Sequence, residues 1–144
     1  MIPVVVPDAS VLLKWAIDTT DEEDRQRALQ LREDWLADRC RIVVPSLWVY
    51  EVGTVLGRQE AQLAPRLLAI LVEYRFEEIE GPALSQRALD LVTRLKKVTF
   101  YDAAYHAVAL LRDGTFVTAD DAYVRRARRV GHVVRLREWD LSRR

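Results

Sequence analysis

Four acidic side chains, Asp8, Glu51, Asp102 and Asp120, stand where a folded chain could gather them for metal-assisted phosphoryl chemistry. Asp8 follows the apolar run of Val4, Val5 and Val6, and Asp120 follows Phe116, Val117 and Thr118 with Ala119 between. Both would project from the carboxyl end of a strand, the edge where open α/β sheets bind their ligands. Asp102 falls in the first turn of an otherwise apolar helix, AAYHAVALL. Each of these three also fits a plainer role: Asp8 and Asp120 as helix N-caps, Asp102 as an anion at a helix dipole.

Glu51 resists the plain reading. It lies within SLWVYEVGTVL, with Leu47 and Trp48 one turn before it, Thr54 and Val55 one turn after, and no lysine or arginine within a turn. Burying an unpaired carboxylate is costly, so it must be protonated, paired with a distant arginine, or bound to a cation. Mg²⁺ and Mn²⁺ prefer oxygen ligands and are held by a few carboxylates plus substrate phosphate. Four clustered acids repel one another unless such a cation is present. The chemistry that follows is phosphodiester hydrolysis, in which the cation acidifies a water and stabilises charge on the phosphoryl oxygens. His106, one turn after Asp102, has a spacing that could co-ligate a metal, but hard cations rarely recruit imidazole. It reads as a packing residue, and neither it nor His132 is assigned to the site.

The elements that must position these acids alternate. Strands are expected over residues 3–6, 41–44, 76–80, 115–118 and 132–136, where β-branched residues cluster. Helices are expected over 9–17, 22–37, from a Ser46 cap to about 58, after Pro65, after Gly81-Pro82, over 101–112, and over 121–130 with Gly131 closing the last. That alternation predicts a three-layer αβα sandwich with a mostly parallel central sheet. Residues 1–144 carry no repeat, low-complexity segment or linker, so one domain is expected. Trp48, Tyr50, Leu67, Leu68, Ile70, Leu71 and Tyr74 give the middle helices broad apolar faces, part core and part available to a second protomer.

Composition narrows the class. With 50% hydrophobic and 31% charged residues the chain is globular rather than disordered. Apolar stretches such as IVVPSLWVY stop at about half of the ~18 residues a membrane helix needs. No basic leader precedes Asp8, and one cysteine, Cys40, excludes an internal disulfide, so a cytoplasmic protein is expected. The net charge is zero but unevenly spread: residues 18–38 hold eight acids against three arginines, and residues 112–144 nine arginines against five acids. Such asymmetry suits either a basic face for a polyanion or ordinary solvated helices. Arg125, Arg126, Arg128 and Arg129, just after Asp120, are the candidates for contacting phosphate.

Four blocks in order carry a family likeness: VPDASVLLKW with Asp8 and Ser10, VVPSLWVYEVGTVL with Glu51, TFYDAAYHAVAL with Asp102, and FVTADDAYVRRA with Thr118 and Asp120. Across essentially its whole length the sequence resembles the PIN-domain ribonucleases of the VapC toxin type. The resemblance implies Mg²⁺ or Mn²⁺ at Asp8, Glu51, Asp102 and Asp120, an RNA substrate, a homodimer, and a cognate antitoxin that wraps the toxin and fills its site. Ser10 and Thr118 would then orient carboxylates by hydrogen bonds, the usual task of groups behind metal ligands. Many relatives carry Asn where this chain has Thr54, which is expected to serve in the same supporting shell. Asp121 follows Asp120 directly and would be an auxiliary ligand or a helix-end charge.

Other classes fit less well. A non-catalytic PIN-like scaffold binding RNA or protein would be expected to lack one of the acids, and all are present. A phosphatase-like domain wants a second Asp two residues after the first, where Ser10 stands. A receiver wants paired acids near the N-terminus and a lysine after the last strand, and Asp8 is alone with Arg135 the nearest basic group.

Overall fold

Three valines and a proline form the central strand. A computed structural model of the chain describes residues 2–18 and 22–142, the side chain of Glu22 excepted. Asp21 of the acidic block, and Arg143 and Arg144 of the basic one, lie outside them. The strands are β1 (Val4–Pro7), β2 (Arg41–Pro45), β3 (Glu77–Ile79), β4 (Thr115–Thr118) and β5 (Val133–Arg135). They lie in the order β3-β2-β1-β4-β5, and every pair is parallel. Val5, Val6, Val43, Val44 and Val117 are buried, as continuous apolar runs are in a parallel sheet covered on both faces. The edge strands differ: Glu77 and Glu78 of β3 are exposed, and short charged edges discourage pairing with another chain. Both edge strands are a residue shorter at each end than the sequence suggested.

Helices complete the three-layer αβα sandwich. α1 (Ala9–Ala16), α2 (Glu22–Leu36), α3 (Trp48–Gln59) and α4 (Ala64–Glu73) pack on one another, while α5 (Pro82–Leu95) covers α6 (Phe100–Leu111), which lies on β1, β2 and β4. Residues 103–109 of α6 are all buried, which explains the run of small residues there: a helix enclosed by a sheet and a second helix has no solvent face. α7 (Asp121–Ala127) joins β4 to β5.

Two local expectations need correction. Ser46 does not cap α3. β2 runs through Pro45, a turn intervenes, and Leu47 takes the cap position without a side-chain bond, while the Ser46 hydroxyl donates to Glu80 at 3.0 Å. Glu51 consequently sits in the first turn of α3 rather than mid-helix. α7 ends at Ala127, because residues 128–130 form a turn before Gly131, whose φ of +81° closes it.

Gly114 fixes how α6 returns to the sheet. A Cβ there would stand 2.6 Å from the backbone oxygen of Val4 and 2.9 Å from its Cβ, so only glycine lets β4 start beside β1. The apolar middle helices divide as expected. Trp48 and Leu71 are buried, and Tyr74 joins Trp15, Trp35 and Phe76 in an aromatic cluster, whereas Tyr50 and Ile70 are exposed. No helix among the described residues is long and apolar enough to cross a membrane.

Candidate active site

Strand order alone puts the four acids at one edge. The chain runs from β1 outward to β2 and β3, then crosses to β4 on the other side of β1, so the point where the winding reverses lies between β1 and β4. Clefts open at the carboxyl ends of strands flanking such a point. Asp8 leaves β1 there and Asp120 leaves β4. Glu51 is in the first turn of the helix that follows β2, at the same end. α6 runs back against β4 through a tight turn, which brings its N-terminus and Asp102 to that edge too.

Asp8 is buried and held from both sides. The Ser10 hydroxyl donates to Oδ1 at 2.5 Å, the Thr118 hydroxyl donates to Oδ2 at 2.6 Å, and the Val11 N–H reaches Oδ1 at 3.3 Å. Thr118 and Ser10 are themselves tied down, accepting from the backbone N–H groups of Asp120 at 3.0 Å and Ala119 at 3.1 Å. Asp8 and Asp120 are also the N-caps of α1 and α7, the latter accepting the Tyr123 N–H at 3.1 Å. The cap bond uses one oxygen of Asp120, whereas at Asp8 the cap oxygen also accepts from Ser10 and the other accepts from Thr118. The N–H of Asp102 donates to Thr99 Oγ at 3.0 Å, which starts α6 one residue earlier than the sequence suggested and fixes Asp102 in its first turn.

Electrostatics mark these groups as one cluster. Burial pushes the Asp8 carboxyl up to about 6, against the lowering pull of the Ser10 and Thr118 hydroxyls, with the Asp102 charge adding to the rise. Burial likewise raises Glu51, tempered by the Tyr105 hydroxyl and reinforced by Asp102. Asp102 is raised by burial and then by Asp120. Glu51 Oε1 and the Tyr105 hydroxyl are both buried, with no well-formed hydrogen bond to any third group. A buried carboxylate beside the Asp102 charge is a group that a cation would stabilise.

The donor set fits a hard divalent cation: all oxygen, mutually repelling, with an unused buried lone pair. It is not a ready-made cage. Among the described residues no group of three or more His, Cys, Asp or Glu side chains stands in metal-holding geometry. The structure thus brings the four predicted acids to one edge without gathering them to ligand distance.

The supporting residues sort differently. Ser10 and Thr118 bond to Asp8 as expected. Thr54 does not join them: it is exposed, and its hydroxyl donates to Tyr50 O of its own helix at 2.9 Å. Asp121 pairs with Arg135 at 3.6 Å, which makes it a helix-end charge. Arg125, Arg126, Arg128 and Arg129 are exposed, the first two in the last turn of α7. His106 is a buried packing residue. Its Nε2 donates to Gly131 O at 2.8 Å, which leaves Nδ1 to accept from the Tyr123 hydroxyl at 2.8 Å, and burial lowers its pKa so that it stays neutral. Tyr105 was missed in the sequence, although its place three residues after Asp102 puts it on the same helix face.

A cleft of about 640 Å³ lies elsewhere, between Pro3, Arg41, Arg112, His132 and Trp139. It contains none of the four acids, and Arg41 and Arg112 both pair with Glu77.

A family model described as PIN domain matches residues 5–129. Among solved structures, the chain is similar to PAE2754 from Pyrobaculum aerophilum, with 24% identity over 94% of this chain and 90% of that one, and a TM-score of 0.65. It is similar to VapC20 from Mycobacterium tuberculosis, a toxin described as cleaving the sarcin-ricin loop, with 14% identity over 83% and 94% of the two chains and a TM-score of 0.60. A third is VapBC2 from Rickettsia felis, solved with a DNA fragment from its promoter, with 17% identity over 95% and 99% and a TM-score of 0.65. At these identities the likeness establishes the fold. No curated protein matches the sequence.

Proposed function

Because this chain belongs to the PIN domain family, whose members are generally nucleases, we propose that it is a Mg²⁺- or Mn²⁺-dependent endoribonuclease and the toxin of a toxin–antitoxin pair. The observation that carries this reading is the buried Glu51 carboxylate beside Asp102, with Asp8, Glu51 and Asp102 all raised by burial and by a neighbouring acid. Asp8, Glu51 and Asp102 would hold the cation, with Asp120 completing the set directly or through water. When bound, the cation supplies Lewis acidity at the phosphoryl oxygens and lowers the pKa of a water.

The chain's own residues do the rest. Ser10 and Thr118 hold both Asp8 oxygens and keep the carboxylate ionised and oriented. Thr99 fixes the turn that presents Asp102. The exposed arginines Arg125, Arg126, Arg128 and Arg129, just past Asp120, would take the phosphates of RNA, so binding should weaken with salt. An antitoxin partner is supported by the likeness to VapBC2, and a homodimer by the exposed Leu63, Ile70 and Val72 at and on α4.

Total cellular RNA incubated with the purified protein and Mg²⁺ or Mn²⁺, then end-mapped, tests this directly. New ends that vanish with EDTA and in Asp8→Asn are expected. No new ends together with no metal binding would overturn the reading and leave a binding scaffold.

A further inference from the structure

Among the described residues only three aromatic side chains are exposed, and each is next or next but one to an acid of the candidate site: Tyr50 before Glu51, and Phe100 and Tyr101 before Asp102. The other nine are buried or half-buried, so this distribution is not a general surface property. Phe100 is 45% and Tyr101 57% exposed, and neither ring packs on another ring. Exposing two large rings at the head of a helix whose next seven residues but one are buried is unfavourable for the isolated chain.

Immediately upstream are Lys96 and Lys97, both exposed and without an ion pair among the described residues. Their φ values are +53° and +57°, two consecutive left-handed non-glycine residues. That conformation is strained for L-residues and concentrates at ligand-binding positions. Val98 packs against the core and anchors the loop, while Thr99 caps α6. The loop thus presents two cations and two rings beside Asp102.

We propose that Phe100 and Tyr101 are a stacking platform for unpaired bases of an RNA strand beside the scissile phosphate, with Lys96 and Lys97 holding the adjoining phosphates. This rests on the nuclease reading above and assigns the residues that would hold the strand beside Asp102. Aromatic faces accept any base and require it to be unstacked, and basic groups tracking the backbone supply the remaining attraction. Charge complementarity and direct continuity with Asp102 favour RNA over an apolar partner for this surface.

The test uses the full-length Asp8→Asn protein with Mg²⁺ and a fluorescein-labelled single-stranded oligoribonucleotide of about 10 nucleotides, alone or annealed into a duplex, read by fluorescence anisotropy. Replacing Phe100 and Tyr101 together with alanine should weaken single-strand binding about 10- to 100-fold and leave duplex binding unchanged. The pair Phe100→Tyr with Tyr101→Phe should bind as the parent. Phe100→Leu with Tyr101→Leu keeps apolar volume without ring faces, carries the same test if the alanine pair does not fold, and should show the same loss. Leucine variants that bind as the parent, equal losses for single strand and duplex, or conversion of a dimer to a monomer on ring removal would each overturn the platform. If ring removal has no effect while the wild-type protein cleaves RNA, only this inference falls. If the Asp8→Asn protein binds neither RNA, the nuclease reading falls with it.

Discussion

The Thr118 hydroxyl donates to Asp8 Oδ2 at 2.6 Å, joining residues that lie 110 positions apart in the chain and one residue past the paired Val117 and Pro7 of adjacent strands. Thr118 Oγ1 in turn accepts the Asp120 N–H at 3.0 Å, so one buried hydroxyl ties Asp8 to the backbone of Asp120. A hydrogen bond to an ionised buried carboxylate favours the charged form, which is the form that can hold a cation.

Thr118→Val should therefore push Asp8 above its present value of about 6, lower cleavage about 10- to 100-fold, and move the acid limb of the pH–rate profile upward. Thr118→Ser should restore both. An unmoved acid limb in the valine variant would remove Thr118 from the mechanism.

The metal-free protein should gain stability as pH falls. The Asp8 carboxyl rises from 3.8 to about 6 on folding, so its contribution is full below 3.8 and lost as pH rises through 6. That loss is on the order of 3 kcal/mol, and the raised Glu51 and Asp102 act in the same direction. Melting temperatures in EDTA should increase from pH 7 toward pH 5. At pH 7, metal-free Asp8→Asn should melt higher than wild type, and Mg²⁺ should raise the wild type more than the variant. A wild-type melting temperature indifferent to Mg²⁺ and Mn²⁺ would count against a cation at this edge.

His106→Leu should destabilise the fold by about 1–3 kcal/mol, because Gly131 O and the Tyr123 hydroxyl lose their buried partner. Activity per folded molecule should not change, which denaturant titration alongside active-site counting would check. A selective loss of activity would return His106 to the site.

Gly114→Ala should lower stability by about 1–3 kcal/mol or prevent folding, since the added methyl meets the Val4 backbone rather than a movable side chain. Circular dichroism melting is sufficient, and a neutral outcome would mean that β1 and β4 can separate locally.

The parts of this site written in local sequence were legible, and the parts written in tertiary register were not. Apolar runs ahead of Asp8 and Asp120 locate strand ends, and the pairing of those strands then fixes which edge the acids share. Glu51 was legible through the absence of any nearby cation. Ser46 misled because a β2 that extends through Pro45 competes for the residues a cap would need, and the competition is decided by pairing with β3. Thr54 misled because a helical hydroxyl can satisfy itself on its own carbonyl four residues back. The Asp121–Arg135 pair depends on α7 lying against β5 and has no local signal.

Placing the first strand in the middle of the sheet has a consequence for how the molecule comes into being. As the chain is synthesised, β1 can pair with β2 early, but its other edge stays bare until residues 115–118 follow. Asp8 is made long before Thr118, its partner 110 positions later, and Asp120 follows two residues after that. Contacts of such wide separation close late because the intervening loop entropy must be overcome first. The acidic edge is therefore silent until β4 has been made and has joined β1.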